Sequence, residues 1–174
     1  MRSRYLLILL ASVMPACNDA GLVPPETERV SRPIDAVYPI GVIPGVYTAL
    51  RCVDSLGTPR VKFDSSEQVF LRYTVINQTG KEQTWARGMS TPWAQFFAMR
   101  GGDTLADSFA GLAFAAVPSE GTLRDGDSLT AAWVIDPAKI HLSAGAYLAT
   151  AYPRFALLGL GVPGYSWKVF DINQ

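Results

Sequence analysis

The stretch that most limits what this chain can fold into is Val69-Phe70-Leu71-Arg72-Tyr73-Thr74-Val75-Ile76-Asn77, where Val69, Leu71, Tyr73 and Val75 alternate with Arg72 and Thr74. A period of two sends one set to one face of a strand and the second set to the other, as in a sheet buried on one side. The run stops at Asn77-Gln78-Thr79-Gly80, a turn whose Gly80 is free to take positive φ. Alternation returns in Leu129, Ala131, Trp133 and Ile135, directly after the tight turn Asp125-Gly126-Asp127. Further β-forming runs lie at Val46–Val53, Trp93–Met99, Thr104–Ala106, Tyr147–Tyr152 and Gly164–Ile172. Phe109–Val117 is open: its alanines suit a helix, whereas Gly111, the phenylalanines and Pro118 favour strand or irregular chain. Many short strands separated by turn signals predict an all-β sandwich or barrel.

Leu142-Ser143-Ala144-Gly145-Ala146-Tyr147 narrows this to an immunoglobulin-like antiparallel β-sandwich. It sets a tyrosine at the start of a strand just after a turn, the spacing of a tyrosine corner, in which the phenol bonds to backbone a few residues upstream.

The N-terminus speaks to compartment. Arg2 and Arg4 precede an apolar run from Tyr5 to Met14, and Ala16 is followed at once by Cys17. The run is too short for a membrane-spanning helix, which needs about 20 apolar residues. A charged head, a short apolar middle and a small residue at the cut form an export signal. Ala16-Cys17 looks like a bacterial lipobox, so Cys17 is expected to be lipidated (a palmitate-labelled anchor) and to hold the chain on the cell-envelope membrane. Asn18 after the cysteine favours the outer membrane where a Gram-negative sorting rule applies. Pro24, Pro25, Pro33, Pro39 and Pro44 then punctuate a stretch through which neither a helix nor a central strand can run. Such a segment is extended and semi-rigid, as a spacer should be. The expected layout is a signal peptide at 1–16, a Pro-rich tether at 17–44 and the sandwich at 45–174.

Lys plus Arg equals Asp plus Glu at 15 each, so no basic stripe offers to neutralise phosphates and nucleic acid is not expected as a partner. At 49% hydrophobic and 17% charged the chain is well able to form a packed core. With Cys17 lipidated, Cys52 has no partner and reads as a small buried hydrophobe. With Cys17 free, a Cys17–Cys52 bridge stays open.

The segment from Val69 to Tyr152 resembles the BsuPI-type family, named for a bacterial intracellular proteinase inhibitor. Three pieces carry the likeness: Val69-x-Leu71-x-Tyr73-x-Val75-x-Asn77 before a turn, Leu123-Arg124-Asp125-Gly126-Asp127-Ser128-Leu129 leading into Ala132-Trp133, and Leu142 to Tyr147. Trp93-Ala94-Gln95-Phe96-Phe97 and Gly102-Asp103-Thr104-Leu105 sit where that family has a strand, a glycine-bearing hairpin and a return strand. The resemblance, with a core at about 67–152, implies an immunoglobulin-like fold and, secondarily, proteinase inhibition outside the cytoplasm through an exposed loop. Thr84–Pro92 and Ala156–Pro163 are the candidate loops.

No catalytic constellation is legible. His141 is the only histidine, no Gly-x-Ser-x-Gly elbow accompanies it, and ligands for an ordinary zinc site are too few. Asp125-Gly126-Asp127-Ser128 lacks the further carboxylates of a calcium loop and reads as a solvated turn. Asn77-Gln78-Thr79 fits an N-glycosylation sequon, a pattern short enough to arise by chance. Trp85, Trp93, Phe96, Phe97, Trp133 and Trp167 are expected mainly in the core. Phe96-Phe97 differs: adjacent strand residues face opposite sides, so one should point outward as a partner-contact point. The expectation is a non-enzymatic envelope lipoprotein without metal or cofactor, presenting a binding domain to another envelope protein.

Overall fold

The computed structural model describes residues 43–174. The expected signal peptide, Cys17 and the expected tether up to residue 42 lie outside the described residues. Among those described there are eleven strands and no helix: β1 (Val46–Val53), β2 (Lys62–Asp64), β3 (Val69–Asn77), β4 (Gln83–Arg87), β5 (Ala94–Arg100), β6 (Asp103–Asp107), β7 (Ser119–Leu123), β8 (Ser128–Ile135), β9 (Gly145–Pro153), β10 (Ala156–Leu157) and β11 (Ser166–Asn173).

Two sheets make the sandwich. One has the order β1-β3-β8, the other β2-β11-β9-β5-β6, and a small third sheet, β10-β4-β7, adjoins them. The first matches the A, B and E strands of an immunoglobulin domain, and β5, β9 and β11 match C, F and G. The chain is therefore an immunoglobulin-like β-sandwich. Its pairings are antiparallel with one exception: β2 runs parallel to β11, Phe63 opposite Ile172.

Alternation dictates the core. Leu71, Tyr73 and Val75 of β3 and Leu50 and Cys52 of β1 face Phe96, Ala149, Phe170 and Ile172 of the other sheet, all buried. Phe96 stacks with Trp133 of β8 at 6.3 Å between centroids, joining the layers at the centre. Ile43 already belongs to this core. On one flank β1 meets β11, where the buried Ser166 hydroxyl donates to Thr48 Oγ1 at 3.0 Å. Nearby the Tyr73 hydroxyl donates to the Gly164 carbonyl at 2.6 Å. Burial drives the Tyr73 phenol far above its ordinary pKa, opposed by its bond with Thr48. Cys52 is buried with a free thiol pushed up to about 12, because desolvation outweighs the pull of Lys168.

The tyrosine corner is present. The Tyr147 hydroxyl donates to the Ser143 carbonyl four residues upstream, and the ring stacks on Phe170 at 5.5 Å. Tyr147→Phe keeps the ring and loses the bond, so chemical denaturation should report a loss of about 1 kcal/mol; a change within error would show that the bond adds nothing. Phe109–Val117, left open by its sequence, is turn and irregular chain, with Phe109 and Phe114 packed on each other at 4.6 Å.

Candidate functional site

The sandwich turns two sheet faces outward, and they carry different rows of side chains. On the β1-β3-β8 sheet the outward positions include Arg51, Arg72, Thr74 and Thr130, and the two threonine hydroxyls are bonded at 3.1 Å. These residues share the face with Phe70 and, opposite it, Val134, which is 41% exposed.

The outward face of the five-stranded sheet carries a continuous apolar row, with Gln95 and Asp107 bonded to each other at its β5–β6 side. Phe96 is buried and Phe97, its neighbour, lies on the opposite side, so the outward member of that pair is Phe97. Register extends the row: Phe97 pairs with Thr150 of β9, and Thr150 with Trp167 of β11. The next row is Met99, Leu148 and Val169. Tyr152 rises opposite Gln95, meets Phe97 edge-on at 5.6 Å and stacks with Tyr165 at 5.0 Å. Val169 and Leu105 are each 46% exposed and Tyr152 is 40% exposed. Contiguous apolar surface of this kind marks a contact surface more often than isolated exposed residues do.

Within that face lies an anomaly. The Thr150 side chain is buried between the Phe97 and Trp167 rows, and among the described residues its Oγ1 is the buried side-chain polar atom without a hydrogen-bond partner. A buried hydroxyl without a partner costs about 1–3 kcal/mol.

A second feature lies beyond the end of β9. β10 pairs with β4, Ala156 opposite Ala86 and Leu157 opposite Trp85, and the Leu158 N–H donates to the Thr84 carbonyl at 2.8 Å. The segments 84–92 and 156–163, far apart in sequence, therefore lie side by side. Trp85, Trp93 and Phe155 form an edge-to-face chain beneath them, with centroids 4.5 and 5.6 Å apart. Gly121 is required opposite Trp85, since a Cβ there would come within 2.6 Å of the indole.

The remaining sequence candidates hold turns. Asp125 accepts from the Gly80 N–H at 2.8 Å and Asp127 from the Arg124 N–H at 3.1 Å. His141 is exposed in a turn, in the left-handed region with φ 55°. Asn77 is fully buried, and both hydrogens of its Nδ2 are donated, to the carbonyls of Lys81 at 2.7 Å and Leu123 at 2.8 Å. Its amide is a structural clip with no access for a glycosylating enzyme. Among the described residues no three His, Cys, Asp or Glu side chains gather as a metal site would require. Trp85, Trp93 and Trp133 pack against the core as expected, whereas Phe97 and Trp167 belong to the outward row. Tyr152 and Val169 escaped the sequence reading, although extending the period of two from Tyr147 along β9 sets Tyr152 outward.

These features define an immunoglobulin-like β-sandwich domain with a continuous apolar row on the outer face of its five-stranded sheet. No protein family and no curated protein matches the sequence. Among solved structures, the chain is similar to the C-terminal domain of wzt, at 12% identity over 81% of this chain and 87% of that one, with a TM-score of 0.45. It is also similar to the CARDB domain of a Pyrococcus furiosus protein, at 10% identity over 75% and 96% of the two chains and a TM-score of 0.38. A β-glucosidase from Listeria innocua has a TM-score of 0.36 at 8% identity, the match covering 74% of this chain and only 16% of the enzyme.

Proposed function

We propose that this chain is a non-enzymatic envelope lipoprotein, anchored through Cys17, whose sandwich docks another envelope protein on the outward face of its five-stranded sheet. The observation that carries this reading is the continuous row on that face: Phe97, Tyr152 and Tyr165 in mutual contact, with Met99, Leu148 and Val169 beside them. The unpartnered Thr150 hydroxyl lies within the same face.

Two measurements test it. Palmitate labelling of the full chain should disappear in Cys17→Ala; unchanged labelling removes the anchor. A photo-crosslinking residue at position 169 should trap one reproducible protein in the native envelope, while the same residue at position 130 traps none. Tyr152→Asp should reduce the adduct at 169 by about tenfold or more, as expected when a central aromatic anchor is lost. Equal adducts from both positions, or an adduct indifferent to Tyr152→Asp, would refute docking on this face.

A second reading, an extracytoplasmic proteinase inhibitor of BsuPI type, draws support from one observation. Leu158 and Leu160 are exposed on a turn closed by the Leu157–Gly161 bridge and braced against β4. Stoichiometric slowing of a subtilisin-type protease, abolished by Leu158→Asp with Leu160→Asp, is the expected result on this reading; cleavage within 157–161 at the rate of a free peptide would refute it.

A further inference from the structure

The same braced corner contains a cleft of about 410 Å³, bounded by the 88–91 loop and the chain that links β9 to β10. Its walls are Ala86, Met89, Phe155 and Val162 with two cations, Arg87 and Arg154, and no Asp or Glu lines it. The volume is in the range of small-ligand sites.

Arg87 is held in place. Its Nε donates to Ser119 Oγ at 2.7 Å, its Nη1 to the Thr91 carbonyl at 2.5 Å, and its guanidinium lies 4.5 Å from the centre of the Trp93 ring. A guanidinium carries five N–H donors, so three remain, including both on Nη2. Every acceptor already engaged is neutral, and among the described residues no carboxylate pairs with Arg87 or Arg154. Arg154 lies 5.8 Å from the centre of the Phe109 ring, again a neutral partner. A half-buried, immobilised cation with an unused donor edge matches the two oxygens of a carboxylate, and its ordering is already accomplished before a ligand arrives. Met89 and Val162 are exposed beside it, and Phe155 closes the floor.

We infer that this cleft binds a carboxylate carrying an apolar group: the oxygens on Arg87, with Arg154 adding charge, and the apolar body over Met89, Phe155 and Val162. Such a ligand comes from one of two sources, a free organic acid or the C-terminus of a polypeptide. The site shares no residue with the outward sheet face, so it stands or falls independently of docking there.

Calorimetric titration of the purified full chain tests it. The probes are hexanoate, its neutral amide, a short acetylated peptide ending in leucine with a free carboxylate, the same peptide amidated, and inorganic phosphate. Both acids should bind, each at least about tenfold more tightly than its amide, and Arg87→Gln should remove about tenfold or more of that affinity. Arg154→Gln should remove less. Tighter binding of the peptide acid than of hexanoate assigns the ligand to a polypeptide C-terminus, and the reverse order to a free acid. Arg87 also packs on Trp93, so Met89→Glu, at an exposed position, provides the control for folding: it should abolish binding of both acids with the unfolding midpoint unchanged. Acid and amide binding alike, phosphate binding more tightly than either acid, no binding of either acid, or binding unaltered by Met89→Glu would overturn the inference.

Discussion

Asn77→Ala is expected to lower the stability of the domain by about 3 kcal/mol, read as a fall in the urea midpoint at unchanged slope. Asn77 is the last residue of β3, and its side chain makes four hydrogen bonds with no exposure to solvent. Nδ2 donates to the Lys81 and Leu123 carbonyls, while Oδ1 accepts from the Thr79 N–H and hydroxyl. Its backbone N–H donates to the Asp127 carbonyl and its own carbonyl accepts from Gly126. One residue thus ties the turn after β3, the end of β7 and the turn before β8. Alanine removes the donor to the buried Leu123 carbonyl and one of two donors to the Lys81 carbonyl, and a buried group left unpaired costs about 1–3 kcal/mol. Asn77→Asp should cost at least as much, because it sets carboxylate lone pairs against those carbonyls. A loss below about 1 kcal/mol for either variant would show that the turns close without the clip.

The second large effect is expected at Phe63, where replacement by alanine should cost about 3–5 kcal/mol. β2 is three residues long and Phe63 is its one buried residue, packed edge-on to Phe170 at 6.4 Å. Arg60 covers the ring from 5.2 Å. Without that side chain a strand so short has little to keep it on the sheet, so hydrogen exchange at Ser65, whose N–H donates to the Asn173 carbonyl of β11, should accelerate in the variant while β9 stays protected. Unaltered protection at β2 would mean that the parallel ladder holds it alone. Glu67 assists this corner, accepting from the Asp64 N–H and pairing with Arg60, and these contacts hold its carboxyl below the ordinary range. A carboxylate depressed on folding adds stability above its unfolded pKa, and that addition fades as pH falls through the lowered folded value.

The central strands were legible because burial on one side writes a period of two into them. β3 occupies the expected residues, Val69 to Asn77, and Gly80 takes φ 74° in the expected turn. Tyr147 was legible for a different reason: a corner needs a turn and a tyrosine at fixed spacing. β2 left no such trace, since three residues cannot display alternation and parallel pairing needs no turn. The proximity of 84–92 to 156–163 was equally hidden, because two residues of β10 decide it. Asn77 read as a turn residue and a sequon, since nothing local reveals that Leu123 supplies an acceptor 46 positions away. Adjacency in the sequence shows only that one of Phe96 and Phe97 points outward, and burial of Phe96 makes it Phe97. The row that it belongs to requires knowing which strands lie beside β5.

The crossing of the chain from β1 in one layer to β2 in the other has a mechanical consequence. Force applied to the leading end of the domain loads β1 first, through its eight register pairs with β3, and detaching the next strand requires parting β2 from β11 in the opposite layer. Tension entering at Val46 therefore meets the two layers one after the other, and the loss of β1 leaves β2 still held on the opposite sheet.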